Sequence, residues 1–99
     1  MADEWELRGF GECVVAWLED EPPIEWRRAV NEWFVRLQRD PVDGAVREPA
    51  LDDGEWSGWY CEIPGAGDRM QVTACFFRVS KRLPLVHCLT LATAPKHNE

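Results

Sequence analysis

The stretch VTACFFRVSKRLPLVHCLTLATAP, Val72 to Pro95, holds two apolar runs separated by a short charged connection. In the first run Thr73, Cys75, Phe77 and Val79 alternate with Val72, Ala74, Phe76 and Arg78, the period of two that marks a strand. In the second, Leu85, His87, Leu89 and Leu91 alternate with Val86, Cys88, Thr90 and Ala92. Two such runs joined by a few turn residues predict an antiparallel hairpin. Both are apolar on both faces, so the hairpin is expected at the centre of a sheet with cover on each side. Upstream, WSGWYCEI puts Trp59, Cys61 and Ile63 on one face and Tyr60 and Glu62 on the other, and PGAGD supplies the turn into the hairpin.

A different period precedes the strands. In EPPIEWRRAVNEWFVRLQRDP, Trp26, Ala29, Val30, Trp33, Phe34 and Leu37 recur at spacings of three and four, with Arg28, Glu32, Arg36 and Arg39 on the other side. This is an amphipathic helix. Pro23 stands where the first turn tolerates proline, Glu25 lies near the positive end of the dipole, Arg36 and Arg39 lie near the negative end, and Pro41 follows. GECVVAWLEDEPP fits a strand through Val14 and Val15, or a helix with Cys13, Val14, Trp17 and Leu18 on one face; a short helix is the reading adopted. DEWELRGF reads as a short opening strand, and the proline- and glycine-containing segment between Pro41 and Trp56 as an irregular connector. The expected architecture is α+β, a helical hairpin packed on one face of a three- to four-stranded antiparallel meander.

Ninety-nine residues are expected to form one domain, because a chain this short buries only about two-thirds of its unfolded surface. Six tryptophans and four phenylalanines enlarge the core that such a chain builds. The four cysteines, Cys13, Cys61, Cys75 and Cys88, are widely spaced with no C-x-x-C pair, a pattern of buried thiols rather than of a disulfide framework or zinc site. No apolar run approaches the ~20 residues of a membrane span, so a cytoplasmic protein without membrane association is expected. The net charge of −7 is uneven: the first 53 residues carry fourteen acids and six bases, the remainder four acids and five bases. A surface for an anion is therefore expected from the second half. The global charge opposes polynucleotide binding except through a local basic patch.

A short strand, a helical hairpin ending in EWRRAVNEWFVRLQRDP, a linker, the strand EWSGWYCEI and the closing hairpin VTACFFRVSKRLPLVHCLTLATAP together resemble the RelE/ParE toxin superfamily. The resemblance implies a bacterial type II toxin neutralised by a cognate antitoxin protein. It implies either ribosome-dependent cleavage of messenger RNA or inhibition of DNA gyrase, with no direct contact to DNA expected. In the nuclease branch it implies a metal-independent endoribonuclease without cofactor, in which basic side chains stabilise charge on the phosphate and a tyrosine, histidine or glutamate moves protons. This chain departs from that pattern. Tyr60 and Glu62 stand on the first meander strand where basic residues are expected, Ala74 where an arginine would stand, and only Lys96 and His97 follow the last strand. Its catalytic set has been lost or rebuilt from other residues.

Arg69, Arg78, His87 and Tyr60 are the candidates for a rebuilt set, with Lys81, Arg82 and Lys96 as candidate RNA contacts. His87 serves either as a core hydrogen-bonding residue or, if its face is open, as a proton carrier. The plainer reading of Arg78, Lys81 and Arg82 is that they keep a sticky hairpin soluble. Trp5 and Trp56 are candidate anchors for a protein partner. The alternative function is a non-catalytic interaction module on the same fold that uses an acidic, tryptophan-bearing face to bind a basic protein.

Overall fold

The computed structural model describes residues 4–96; His97 lies outside them. Two helices, α1 (Phe10–Leu18) and α2 (Ile24–Arg39), cover one face of a five-stranded mixed sheet. Its strands are β1 (Glu6–Arg8), β2 (Val46–Arg47), β3 (Trp56–Glu62), β4 (Gln71–Ser80) and β5 (Leu85–Pro95), in the order β1-β5-β4-β3-β2. The segment GECVVAWL is helical, and the connector contains β2 and one 3-10 turn, Pro49–Leu51. Two strands thus join the expected meander, and one pairing is parallel: β1 runs alongside the start of β5, with Leu7 opposite Val86 and Arg8 opposite His87. An edge strand of three residues is too short to show a period that would distinguish parallel from antiparallel pairing.

The core forms where the α2 stripe meets alternate residues of the sheet. Val30, Trp33 and Leu37 of α2 are buried with Cys75, Phe77 and Val79 of β4 and Cys61 and Ile63 near the end of β3. Trp33 is the hub of the aromatic packing, with its ring 5.9 Å from Phe77 and 6.4 Å from Phe10. Offset and tilted contacts of this kind are favoured by the ring quadrupoles. α1 is pinned through a polar chain: Trp17 Nε1 donates to Thr93 Oγ1 at 2.8 Å, and Thr93 shares a 2.6 Å hydroxyl contact with fully buried Thr73. Every polar atom of that chain has a partner, so burying it carries no desolvation penalty for an unmade bond.

β5 does not alternate throughout as its sequence suggests. Phe76 pairs with Thr90 but Phe77 pairs with Cys88, so Leu89 is an extra residue without a partner. Such a bulge reverses the facing of everything beyond it. Leu91, Cys88 and Val86 therefore all face the helices and are buried, whereas His87, Thr90 and Ala92 share the opposite face. Leu91 thus lies on the face opposite to His87, where strict alternation had put the two together.

The cysteines are free thiols, and three of the four are buried. Cys75 and Cys88 touch, Sγ to Sγ, at 3.6 Å. The neighbouring thiol and then burial raise Cys88, and burial followed by contact with Cys88 pushes Cys13 up to about 12. Among the described residues no helix is long and apolar enough to cross a membrane.

Phe77→Ala removes a fully buried ring at the centre of this packing and is expected to cost about 3–5 kcal/mol in a denaturant titration. The Cys13 shift contributes to an alkaline loss of stability. Its folded value lies above the ordinary 9.0, so the unfolded chain loses the proton first, and the stabilisation present below 9.0 fades as pH climbs towards 12. A Cys13→Ala variant is expected to show a shallower loss of stability across that window in denaturation curves recorded at successive pH values.

Candidate functional site

The sheet face away from the helices carries most of the candidate residues. Gly58, Arg78, His87 and Arg8 lie on one row across β3, β4, β5 and β1, each the register partner of the next. Arg78 and His87 are therefore direct cross-strand neighbours, at a separation that lets side chains interact. Arg8 extends the row from the N-terminal half of the chain, a residue that the reading by charge balance did not single out. The Trp56 ring lies 6.2 Å from the His87 ring, at 52°. Gly9, which joins β1 to α1 at φ 76, packs so closely that a Cβ there would sit 3.0 Å from the His87 ring.

The connector lies over this face. A Cβ on Gly58 would fall 2.4 Å from both the Glu48 carbonyl oxygen and Leu51 Cβ, so only glycine admits the 3-10 turn against the sheet. Asp52 fastens the strap by accepting from Gly58 N at 2.6 Å and from Arg47 Nη2 at 2.5 Å. Arg47 in turn lies over the Trp59 ring, 5.2 Å from its centroid. Asp53 caps its own turn through Oδ1, which accepts from Glu55 N and Trp56 N, while Oδ2 receives Arg78 Nη1 at 3.3 Å. Lys81 Nζ donates to the Asp53 carbonyl at 3.1 Å. Two of the three bases near the β4–β5 connection are thus held by the acidic strap. Arg82 is exposed; its backbone N–H, with that of Leu83, donates to Ser80 Oγ and so caps the turn.

Beyond Phe76 the face opens into a groove of about 570 Å³. Its floor is apolar, with Val72, Ala74, Phe76, Ala92 and Ala94, and its polar margin includes Tyr60, Glu62 and Lys96. Tyr60 donates to Glu62 Oε2 at 3.1 Å and packs against Phe76, ring centroids 4.9 Å apart and tilted by 47°. Burial and then the Glu62 carboxylate raise the phenol above its ordinary value.

The structure brings Arg78 and His87 together and separates the rest of the candidate set. Tyr60 is one strand further on and one row along, with Phe76 interposed. Arg69 precedes β4, whereas Arg78 lies near its far end, more than about 20 Å away at ~3.3 Å per residue. Lys96 sits at the Arg69 end, where its N–H donates to the Met70 carbonyl. Trp5 is half-buried and packs against the core, its backbone N–H bonded to the Gln38 carbonyl. Trp56 is half-buried against His87. Comparison with protein-family models, curated proteins and solved structures finds no match to this chain.

The Arg47 contact, followed by the Gly58 amide, holds the Asp52 carboxyl below its ordinary 3.8. The folded value is the lower one, so this contribution to stability is complete above 3.8 and is lost as pH falls through the folded value. Asp52→Asn is expected to flatten the acid limb of a stability–pH curve below that point while leaving the neutral and alkaline limbs unchanged in slope.

Proposed function

We propose that the chain is a toxin-like domain of the RelE/ParE kind, from a bacterial type II toxin–antitoxin pair, that inhibits translation by cleaving messenger RNA on the ribosome at its open sheet face. The observation that carries this reading is the Arg78–His87 pairing on a face the helices leave uncovered, extended by Arg8. Guanidinium groups beside an imidazole are the minimum needed to stabilise charge building on a phosphodiester and to move the proton of an attacking hydroxyl. No metal takes part in this reading. Phe76 and Tyr60, in tilted contact further along the face, offer aromatic surface on which bases of a single strand would lie. Lys96 stands at the far end of the groove, placed for a further phosphate.

A second reading rests on a different observation, the apolar floor of the groove with Glu62 at its margin in a chain of net charge −7. On that reading the fold is a non-catalytic module whose groove takes a basic protein segment with apolar side chains. In the first reading the cognate antitoxin would mask the same face.

Tightly controlled expression in a bacterial host, with total RNA analysed alongside growth, separates these readings. The expected result is growth arrest with cleaved messenger RNA, relieved by Arg78→Ala or His87→Ala. Arrest with intact RNA would transfer the proposal to gyrase or another target. Normal growth with folded, abundant protein would leave the protein-binding module.

A further inference from the structure

We infer that Arg78, His87 and Arg8 form a binding site for a phosphate group carried beside a planar base, and that Asp53 is the site's built-in competitor. The inference rests on the reading of the open face as an RNA surface and adds to it a place for the base on the Trp56 indole and a resident carboxylate. Arg78 is the central observation. Its Nε is buried with no hydrogen-bond partner among the described residues. Its one ion pair among the described residues is the 3.3 Å contact from Nη1 to Asp53, a single long contact where a guanidinium offers a fork of five donors. Most of the donor capacity of its terminal nitrogens is thus unused.

The surroundings of Arg78 share one chemistry. His87 and Arg8 continue the row outward, and among the described residues Arg8 is engaged only by the exposed Glu6 carboxylate at 2.6 Å. On the other side the Trp56 indole forms one wall of a 250 Å³ recess that also takes in Ser80 and Arg82. A nucleotide unit matches this pairing of features, its phosphate on the guanidinium and imidazole row and its base on the indole, since stacking on an aromatic side chain is tolerant of base identity.

Asp53 stands where the ligand's anion would go. Its Oδ1 is committed to the Glu55 and Trp56 amides, so the strap's own turn, and not the attraction of Arg78, fixes its position. The second oxygen then meets Arg78 as a consequence. A phosphate must displace that carboxylate, and the apparent affinity is lowered by the fraction of molecules in which the pair is closed.

Asp53→Asn tests the idea with little risk to the fold, because the amide oxygen keeps the two turn bonds and only the charge is lost. Asp53→Ser, whose hydroxyl accepts the same bonds more weakly, serves as a second variant. Binding of a fluorescently labelled single-stranded hexauridylate is measured by anisotropy, with inorganic phosphate as competitor. Both Asp53 variants are expected to bind roughly two- to fivefold more tightly than the wild type, the range that corresponds to one exposed ion pair. Arg78→Ala should bind about tenfold or more weakly and lower the slope of log affinity against log salt by roughly 0.7. A general loosening of the structure would not raise affinity. Equal or weaker binding by folded Asp53 variants overturns the inference, as does an absence of binding in wild type and variants alike. Competition by inorganic phosphate without binding of the hexauridylate overturns the assignment to a nucleotide. Growth arrest without tighter binding by the Asp53 variants would end this inference and leave the toxin reading standing; tighter binding by variants of a chain that arrests nothing would do the reverse.

Discussion

The unpaired residue Leu89 decides what each side of the sheet presents. Without it, the two halves of β5 could not both send their large apolar side chains towards the helices, because Leu91 and Cys88 differ in parity. With it, Leu91, Cys88 and Val86 all join the core, and His87 is turned outwards to the face where Arg78 stands. The cost of one ladder interruption is set against burial of a leucine side chain, worth about 1.5–3 kcal/mol, so the bulge is favoured by packing. The basic row is a by-product of that packing solution, and its geometry is as firmly fixed as the core beneath it.

The acidic strap has the opposite character. It has no sustained apolar period, and it is held by side-chain caps: Asp52 on Gly58 and Arg47, Asp53 on its own turn amides and on Arg78. Electrostatics at the exposed end of the hairpin is therefore local. The charges of Arg78 and Lys81 are met only in part within the chain, Arg78 by one 3.3 Å contact to Asp53 and Lys81 by a backbone carbonyl, which is how a concentration of bases persists in an acidic protein. Asp68 caps the β3–β4 turn in the same way, accepting from Met70 N and Gln71 N.

How far the sequence disclosed this arrangement differs from element to element. α2 was legible because its apolar stripe and its proline boundaries agree. β3 and β4 were legible because their alternation is unbroken, and Tyr60 and Glu62 lie on the face opposite Trp59 as their spacing requires. β5 was half legible: its existence was plain, but periodicity does not reveal where an extra residue is absorbed, since Leu89 is as apolar as its neighbours. Arg8 was missed because it belongs to the acidic half of the chain and reaches the site only through a parallel pairing. The signal available was Arg8-Gly9-Phe10-Gly11, a strand passing through glycine directly into a helix, which favours a crossover over a hairpin. The strap left one trace as well, a glycine at position 58 inside an otherwise aromatic strand, a mark of close backbone approach.

The parallel edge has a bearing on how the chain is made. β1 lies near the N-terminus, yet its sole strand partner is β5, the last element of the described chain. During synthesis the helices emerge first, with the apolar side of α2 facing no sheet, and the meander that covers it follows only after β3, β4 and β5 have left the ribosome. β1 then closes across nearly the whole length of the chain, a non-local contact of the kind that slows folding. For most of its synthesis the polypeptide therefore exposes Trp26, Trp33 and Phe34 without their cover, a condition that favours capture by chaperones or by a partner already present. That same pairing brings Arg8 to His87, so the open face is complete only once β5 is available to β1.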